Sequence, residues 1–367
     1  MSNKVADKPF KTFDEQIEIL RGRNIEVQNI KSAKKILNTV SYYKLVNGYK
    51  QSRIVAECDK DLEMFQDGTK IEDLYNLHIF DVTLQSILFK YILSIETSFK
   101  TKLAYLIAKQ YGVFESEYLS QGSYISSGNK RKLRKRVLKE LIDDKKETMY
   151  TPTKYYRDGD EQNNIPPKNH IPPWILIQNI SFTRSIRWYS ILKSQDKKKI
   201  YSQFSIIKKT RGNDEVEKDF FLDSLKILRD YRNNVAHGYR SINLRIQNCI
   251  NIESLNKIIP NTVLSENELP NFGYKDLYSV LISIVALTDY MILEDNLIRE
   301  LSAFFNTPIG EEVRVLANLP DDFLGKLTIL KEHIKECKKK YVIINKSETV
   351  YYLKDKKARV NNTSAEK

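Results

Sequence analysis

Glycine and proline are scarce in this 367-residue chain, at 12 and 10 residues, which excludes collagen-like and low-complexity architectures and leaves few built-in helix breakers. Long helices are the expectation. Cysteine is scarcer still: Cys58, Cys249 and Cys337 are far apart, odd in number and outside any C-x-x-C pairing. That excludes a disulfide framework and a cysteine zinc site, and it fits a reducing cytoplasm. With only four histidines, His78, His170, His237 and His333, no multi-histidine metal centre is expected, and no cofactor. The longest apolar stretch, Val280 to Leu293, is broken by Ser283, Thr288 and Asp289 and is shorter than the roughly 20 residues a bilayer span needs. It reads as a buried helix. The segment Met1 to Pro9 lacks the apolar core of a secretory signal, so a cytoplasmic protein without a membrane partner is expected. Phosphate-loop, dinucleotide-turn, zincin and nucleophile-elbow motifs are also missing, which removes the usual signatures of those enzyme classes.

What is present is a helical, basic chain. Hydrophobic residues make up 41%, enough for a sizeable core, and Lys plus Arg exceed Asp plus Glu by 13. An excess of that size points to a polyanionic partner. Two short amphipathic helices are expected over residues 13–50, with a turn near Asn47-Gly48. Residues 71–110 contain no glycine or proline and read as one very long helix or two end to end. Lys130 to Lys139 packs seven basic residues into ten positions, and residues 143–169 read as an exposed polar loop. Pro172-Pro173-Trp174 starts a helix that should run to about Leu192. Further helices are expected at 219–240, 274–305 and 321–338, followed by a possible small hairpin over 341–353. The class is all-α. The expected division is an N-terminal helical region (1–112), a basic run and polar insertion (113–170), core helices (171–310), and a C-terminal helix with a basic tail (311–367).

The segment from Leu228 to Arg240 concentrates three arginines, two asparagines and one of the four histidines. At about 100° per residue, Arg229, Asn233, His237 and Arg240 fall on one face of a helix. Phe221, Leu228, Tyr231, Val235 and Tyr239 fall on the other, with Arg232 at the seam. Such a cationic face needs an anion, a partner subunit or water in front of it.

Arg232-Asn233-x-x-Ala236-His237-x-x-Arg240 resembles the R-N-x-x-x-H signature of HEPN ribonucleases, in particular the Abi-like (AbiD/AbiF) abortive-infection proteins. The resemblance extends to Leu20-Arg21-Gly22-Arg23, Tyr42 to Lys50, Leu74-Tyr75 with Phe80-Asp81, Ile95-Glu96, and Pro172-Pro173-Trp174 followed by Ser181-Phe182. Thr183 stands where a glycine commonly follows in such proteins. The resemblance implies an HEPN-type helical bundle with additional N-terminal helices. It further implies a metal-independent endoribonuclease toxin of anti-phage abortive infection or of a toxin–antitoxin system. In that reading Arg232, Asn233 and His237 are the catalytic residues, and two copies of the motif meet across a homodimer.

The residue types suit the chemistry. An RNA 2′-hydroxyl can attack the adjacent phosphorus if a protein supplies proton transfer and charge stabilisation. An imidazole such as that of His237 works near neutral pH, a guanidinium such as that of Arg232 suits a doubly charged transition state, and Asn233 can orient a neighbour. Arg229 and Arg240, and the run Lys130, Arg131, Lys132, Arg134, Lys135 and Arg136, are candidate RNA contacts. Arg184, Arg187, Lys197, Lys198, Lys199, Lys208, Lys209 and Arg211 form a sparser set, and Phe182, Tyr189, Tyr201 and Phe204 beside it have the spacing of core residues. The expected partners are RNA, a second copy of the chain and a small noncoding RNA antitoxin. The alternative is a non-catalytic RNA-binding or scaffolding HEPN protein; membrane-surface association through the basic tail is a weaker third reading.

Overall fold

The computed structural model describes residues 8–55, 63–126, 128, 130–147, 151–204, 214–242, 244, 246–269, 271–288 and 291–336. Among them the chain is all-α, with isolated bridges such as Glu26 to Lys70 and no strand. The N-terminal third contains α1 (Phe13–Gly22), α2 (Ile30–Thr39), α3 (Tyr42–Tyr49) and α4 (Ile71–Tyr111). Next come α5 (Glu115–Tyr118), α6 (Lys130–Glu147), α7 (Thr151–Asp158), α8 (Pro173–Asn179), α9 (Phe182–Ser190) and α10 (Ser194–Tyr201). The chain continues through α11 (Asp214–Ala236), α12 (Ile252–Ile258), α13 (Leu277–Leu287), α14 (Met291–Phe305), α15 (Pro308–Leu316) and α16 over 323–336.

The spine is α4, a single uninterrupted helix of 41 residues and so about 60 Å long. Its buried residues, among them Leu84, Leu88, Tyr91, Ile95, Phe99 and Leu103, pack against α3, α8, α10, α11, α14 and α15. The second organising helix is α11, which lies against α4, α9, α10, α12 and α13. Phe221 of α11 meets Phe99 of α4, Tyr189 of α9 and Phe204 at ring-centroid distances of 6.1, 5.4 and 5.0 Å. The aromatic residues at 182, 189, 201 and 204 are therefore core. Every residue of α13 is buried, as expected of a helix that is apolar all round. No helix among the described residues is long and apolar enough to cross a membrane.

Several expected boundaries move, each for a local reason. Residues 13–50 form three helices, because Asn29 and Ser41 each cap a new start by accepting the backbone N–H three residues on, at 3.0 and 3.3 Å. Asn47-Gly48 is consequently inside α3 and makes no turn. The helix begun at Pro173 stops at Asn179, since Ile180 is extended and Ser181 caps α9 through Arg184 N–H at 3.1 Å. Thr183 sits within the first turn of α9, where no glycine is needed. Residues 274–305 divide at Thr288, which ends α13 in an extended conformation. The polar stretch 143–169 contains the end of α6 and all of α7. The expected hairpin over 341–353, together with Cys58, Cys337, Lys208, Lys209 and Arg211, lies outside the described residues.

Candidate functional site

The helix carrying the Arg-x4-His motif ends at Ala236, four residues before the sequence expectation. Gly238 is the reason. At φ 74° it occupies the left-handed region that favours glycine, and two backbone bonds close the end: Gly238 N–H to the Val235 carbonyl and Tyr239 N–H to the Asn234 carbonyl, both 2.9 Å. This is the Schellman arrangement, with His237 as the C-cap. His237 is exposed at the mouth of this turn. Tyr239 and Arg240 lie beyond the helix, so the face assigned to them on a continuous helix is corrected: Tyr239 is 64% exposed and not part of the core.

Arg232 lies five residues, about 1.4 turns, before His237 with its side chain 33% exposed. Its Nη1 donates to Asn233 Oδ1 at 3.1 Å, and its Nε faces the Glu96 carboxylate of α4 at 3.9 Å. Glu96 is buried and also pairs with Lys100 at 2.8 Å. A buried carboxylate thus lies between two cations, close to the inner end of the Arg232 side chain but without a hydrogen bond to its Nε. Ile95-Glu96 was recognisable in the sequence as part of a resemblance, but its spacing gave no sign that Glu96 would face Arg232.

Arg240 folds back onto α3. Its Nη1 donates to the Asn47 carbonyl at 3.2 Å, and its guanidinium lies 5.6 Å from the centre of the Tyr49 ring. The close approach requires Gly48, since a Cβ there would stand 2.7 Å from Arg240 Nη1. Two segments nearly two hundred residues apart in sequence therefore meet: Tyr42 to Lys50 forms the platform under the turn that carries His237. Lys44 of the same segment, not singled out in the sequence, places its ammonium 3.7 Å from where a Cβ on Gly238 would be.

Behind the turn lies a buried polar network. Asp81 of α4 accepts from Ser241 N–H at 2.9 Å, from the Tyr49 hydroxyl at 3.1 Å and from Gln85 Nε2 at 3.2 Å. Gln85 Nε2 also donates to the Tyr239 carbonyl at 3.1 Å. Tyr49 shares a further hydrogen bond with His78 Nδ1 at 3.0 Å, and Tyr231 at the end of α11 bonds the Ser241 hydroxyl at 2.7 Å. Burial pushes the Asp81 carboxyl up to about 6, against the lowering effect of these hydrogen bonds. Burial and the nearby Asp81 push the Tyr49 phenol up, while burial, helped by Lys44, pushes the His78 imidazole down. The network holds residues 239–241 to α3 and α4, and through them the turn.

Two predicted RNA contacts are directed elsewhere. Arg229 is mostly buried and bonds the adjacent Asp230 through Nε and Nη2, at 3.0 and 2.6 Å. Asp230 in turn receives Asn248 N–H and Nδ2 at 3.1 and 2.7 Å. Arg134 is buried, donating to the Ile125 carbonyl at 2.8 Å. The rest of its run, Lys130, Arg131, Lys132, Lys135 and Arg136, is exposed on α6. That helix packs against α9 and the turn at 121–123, whereas α3 and α4 hold the motif turn. In the sparser set, Arg184 pairs with Glu140 and Asp144, and Arg187 with Glu140. Lys197 is buried against the Ser190 carbonyl, with burial bringing its ammonium down to about 8. No group of three or more His, Cys, Asp and Glu placed to hold a metal ion occurs among the described residues.

Compared with known proteins, the chain matches the family model of Abi-like proteins over residues 35–243, a span that includes the α3 platform, the α4 spine and the whole motif. No curated protein and no solved structure matches it.

Proposed function

This chain belongs to the Abi-like protein family, and from that premise we propose that it is an HEPN-type endoribonuclease. Its role would be anti-phage abortive infection or the toxin half of a toxin–antitoxin pair. One observation carries the reading: Arg232 and His237 lie five residues, about 1.4 turns, apart at the C-terminal end of α11, with the buried Glu96 carboxylate 3.9 Å behind Arg232.

The chemistry follows from those groups. The 2′-oxygen of RNA forms a bond to the adjacent phosphorus as the bond from phosphorus to the 5′-oxygen breaks. The products are a 2′,3′-cyclic phosphate and a 5′-hydroxyl. One proton must leave the 2′-hydroxyl and one must reach the departing 5′-oxygen, and His237 serves as an acid or base for such a transfer. The Arg232 guanidinium neutralises the charge growing on the phosphoryl oxygens. Asn233, bonded to Arg232, keeps its fork in place. Arg240 and Lys44 hold neighbouring phosphates, while the exposed cations of α6, which packs on α9 and the turn at 121–123, offer RNA a separate basic surface.

With one Arg-x4-His per chain, a two-fold homodimer supplies the second imidazole. A small noncoding RNA fits as the neutralising partner because it would occupy the same cationic surface. The nucleophile is built into the substrate, so the mechanism needs no metal.

The test is RNA cleavage by the purified chain in EDTA, with His237→Ala expected to be slower by about a hundredfold or more. Equal rates would overturn the site. Tight, salt-sensitive binding of RNA that stays intact would instead support the non-catalytic reading.

A further inference from the structure

The motif turn borders a cavity of about 840 Å³ that the cleavage chemistry leaves unused. Asn234, one turn before the C-cap, and Tyr239, two residues after it, line the cavity on either side of His237 in sequence. Arg240 stands at the same edge, and Ile242, Leu277 and Leu316 supply an apolar floor.

The polar lining is unusual in kind. Asn47, Gln51, Gln247 and Asn318 all line the cavity; Asn47 accepts from Arg240 through its backbone carbonyl only, and the side-chain amides of the four, three of them exposed, are not engaged with other described residues. The cavity's one carboxylate, Asp276, is already engaged, its two oxygens accepting from Ser279 N–H and Gly273 N–H, each at 2.8 Å. The lining therefore offers neutral donor–acceptor pairs above an apolar surface, with one cation at the rim.

That combination matches one ligand chemistry closely. A nucleobase presents a flat apolar face and an edge of adjacent donors and acceptors, and carboxamides pair with such edges. An exposed tyrosine beside the opening can stack on a base. The attached phosphate would lie toward Arg240. A charged metabolite would find a single counter-charge here, and a purely apolar ligand would make no use of the amide-rich lining.

We propose that this cavity is a base-reading subsite, holding the nucleobase of a nucleotide next to the bond that His237 cuts. The inference rests on the ribonuclease reading for its strand, but not for its chemistry, so the two are tested separately. The same groups would suit a free nucleotide, and the experiment distinguishes these sources.

The probe is a set of fluorescent, fully 2′-O-methylated tetranucleotides, which no 2′-hydroxyl mechanism can cut, with each position varied through the four bases. Binding to the full chain is read by anisotropy. The wild type should prefer one base at one position by about tenfold, and Gln51→Ala/Gln247→Ala should reduce that preference to about threefold or less. Both glutamines are exposed, so an unchanged melting temperature shows that the double variant is folded. A preference that survives the double substitution, or no preference in the wild type, overturns the proposal. Nucleoside monophosphates that compete as strongly as the tetranucleotides would also overturn it, in favour of a free nucleotide. Cleavage of 2′-hydroxyl RNA, measured in parallel with His237→Ala, reports on the ribonuclease reading alone. Base preference without cleavage would leave the subsite standing and remove the nuclease.

Discussion

His237 is exposed at a helix C-cap and its side chain makes no hydrogen bond among the described residues, so its removal should separate activity from stability. His237→Ala is expected to change the unfolding free energy by no more than about 0.5 kcal/mol, as at other exposed sites, while cleavage collapses. Urea titration beside an RNA assay checks both. Asp81 is the opposite case, a buried carboxyl whose folded value near 6 exceeds its unfolded value. Such a group contributes stability that is complete below about pH 4 and is lost as pH climbs through about 6. Asp81→Asn should therefore flatten that part of the stability profile. Relative to the wild type, the variant is expected to gain on the order of 3 kcal/mol between pH 4 and pH 7, measured by denaturation at stepped pH. A parallel pair of profiles would remove the carboxyl from this account.

At the scale of elements, the glycine under Arg240 gives a prediction with two separable outcomes. A Cβ on Gly48 would meet the flexible end of Arg240 and not backbone, so Gly48→Ala should displace the guanidinium at a cost of about 1 kcal/mol. RNA affinity should fall well beyond what that cost explains, and restoring glycine should recover it. A variant as tight on RNA as the parent would show that Arg240 is only a structural tether.

The same elements show how far the sequence could be read. The α4 spine was legible because forty residues pass without a glycine or proline, and α11 because its apolar positions recur at helical spacing. The helix end was readable in principle, since Gly238 follows the motif where a C-terminal glycine belongs, yet extending the helix to Arg240 placed Tyr239 in the core and Arg240 on the wrong face. The burial of Arg134 had a signal too, as it lies three and four positions before Val137 and Leu138 on the inner face of α6. The docking of Arg240 on Asn47, and the facing of Glu96 and Arg232, had none: they are tertiary contacts over 193 and 136 positions, which no local periodicity encodes.

Considered as a whole, the molecule has one motif per chain, and the proposed chemistry calls for two. Sedimentation equilibrium should give a species of twice 43.0 kDa, with Arg232 and His237 shielded from solvent probes in the dimer. A monomer that cleaves RNA at full rate would remove the twin from the mechanism. The excess of 13 positive charges should make RNA binding fall steeply with salt, through release of counterions from the phosphates.

The chemical ends that the protein leaves on RNA report most directly on the Arg232–His237 site. In EDTA, the wild-type protein should produce 2′,3′-cyclic phosphate and 5′-hydroxyl termini, and His237→Ala should produce neither above background. Fragments ending in 5′-phosphate, or cyclic-phosphate ends formed as fast by the variant as by the wild type, would contradict it.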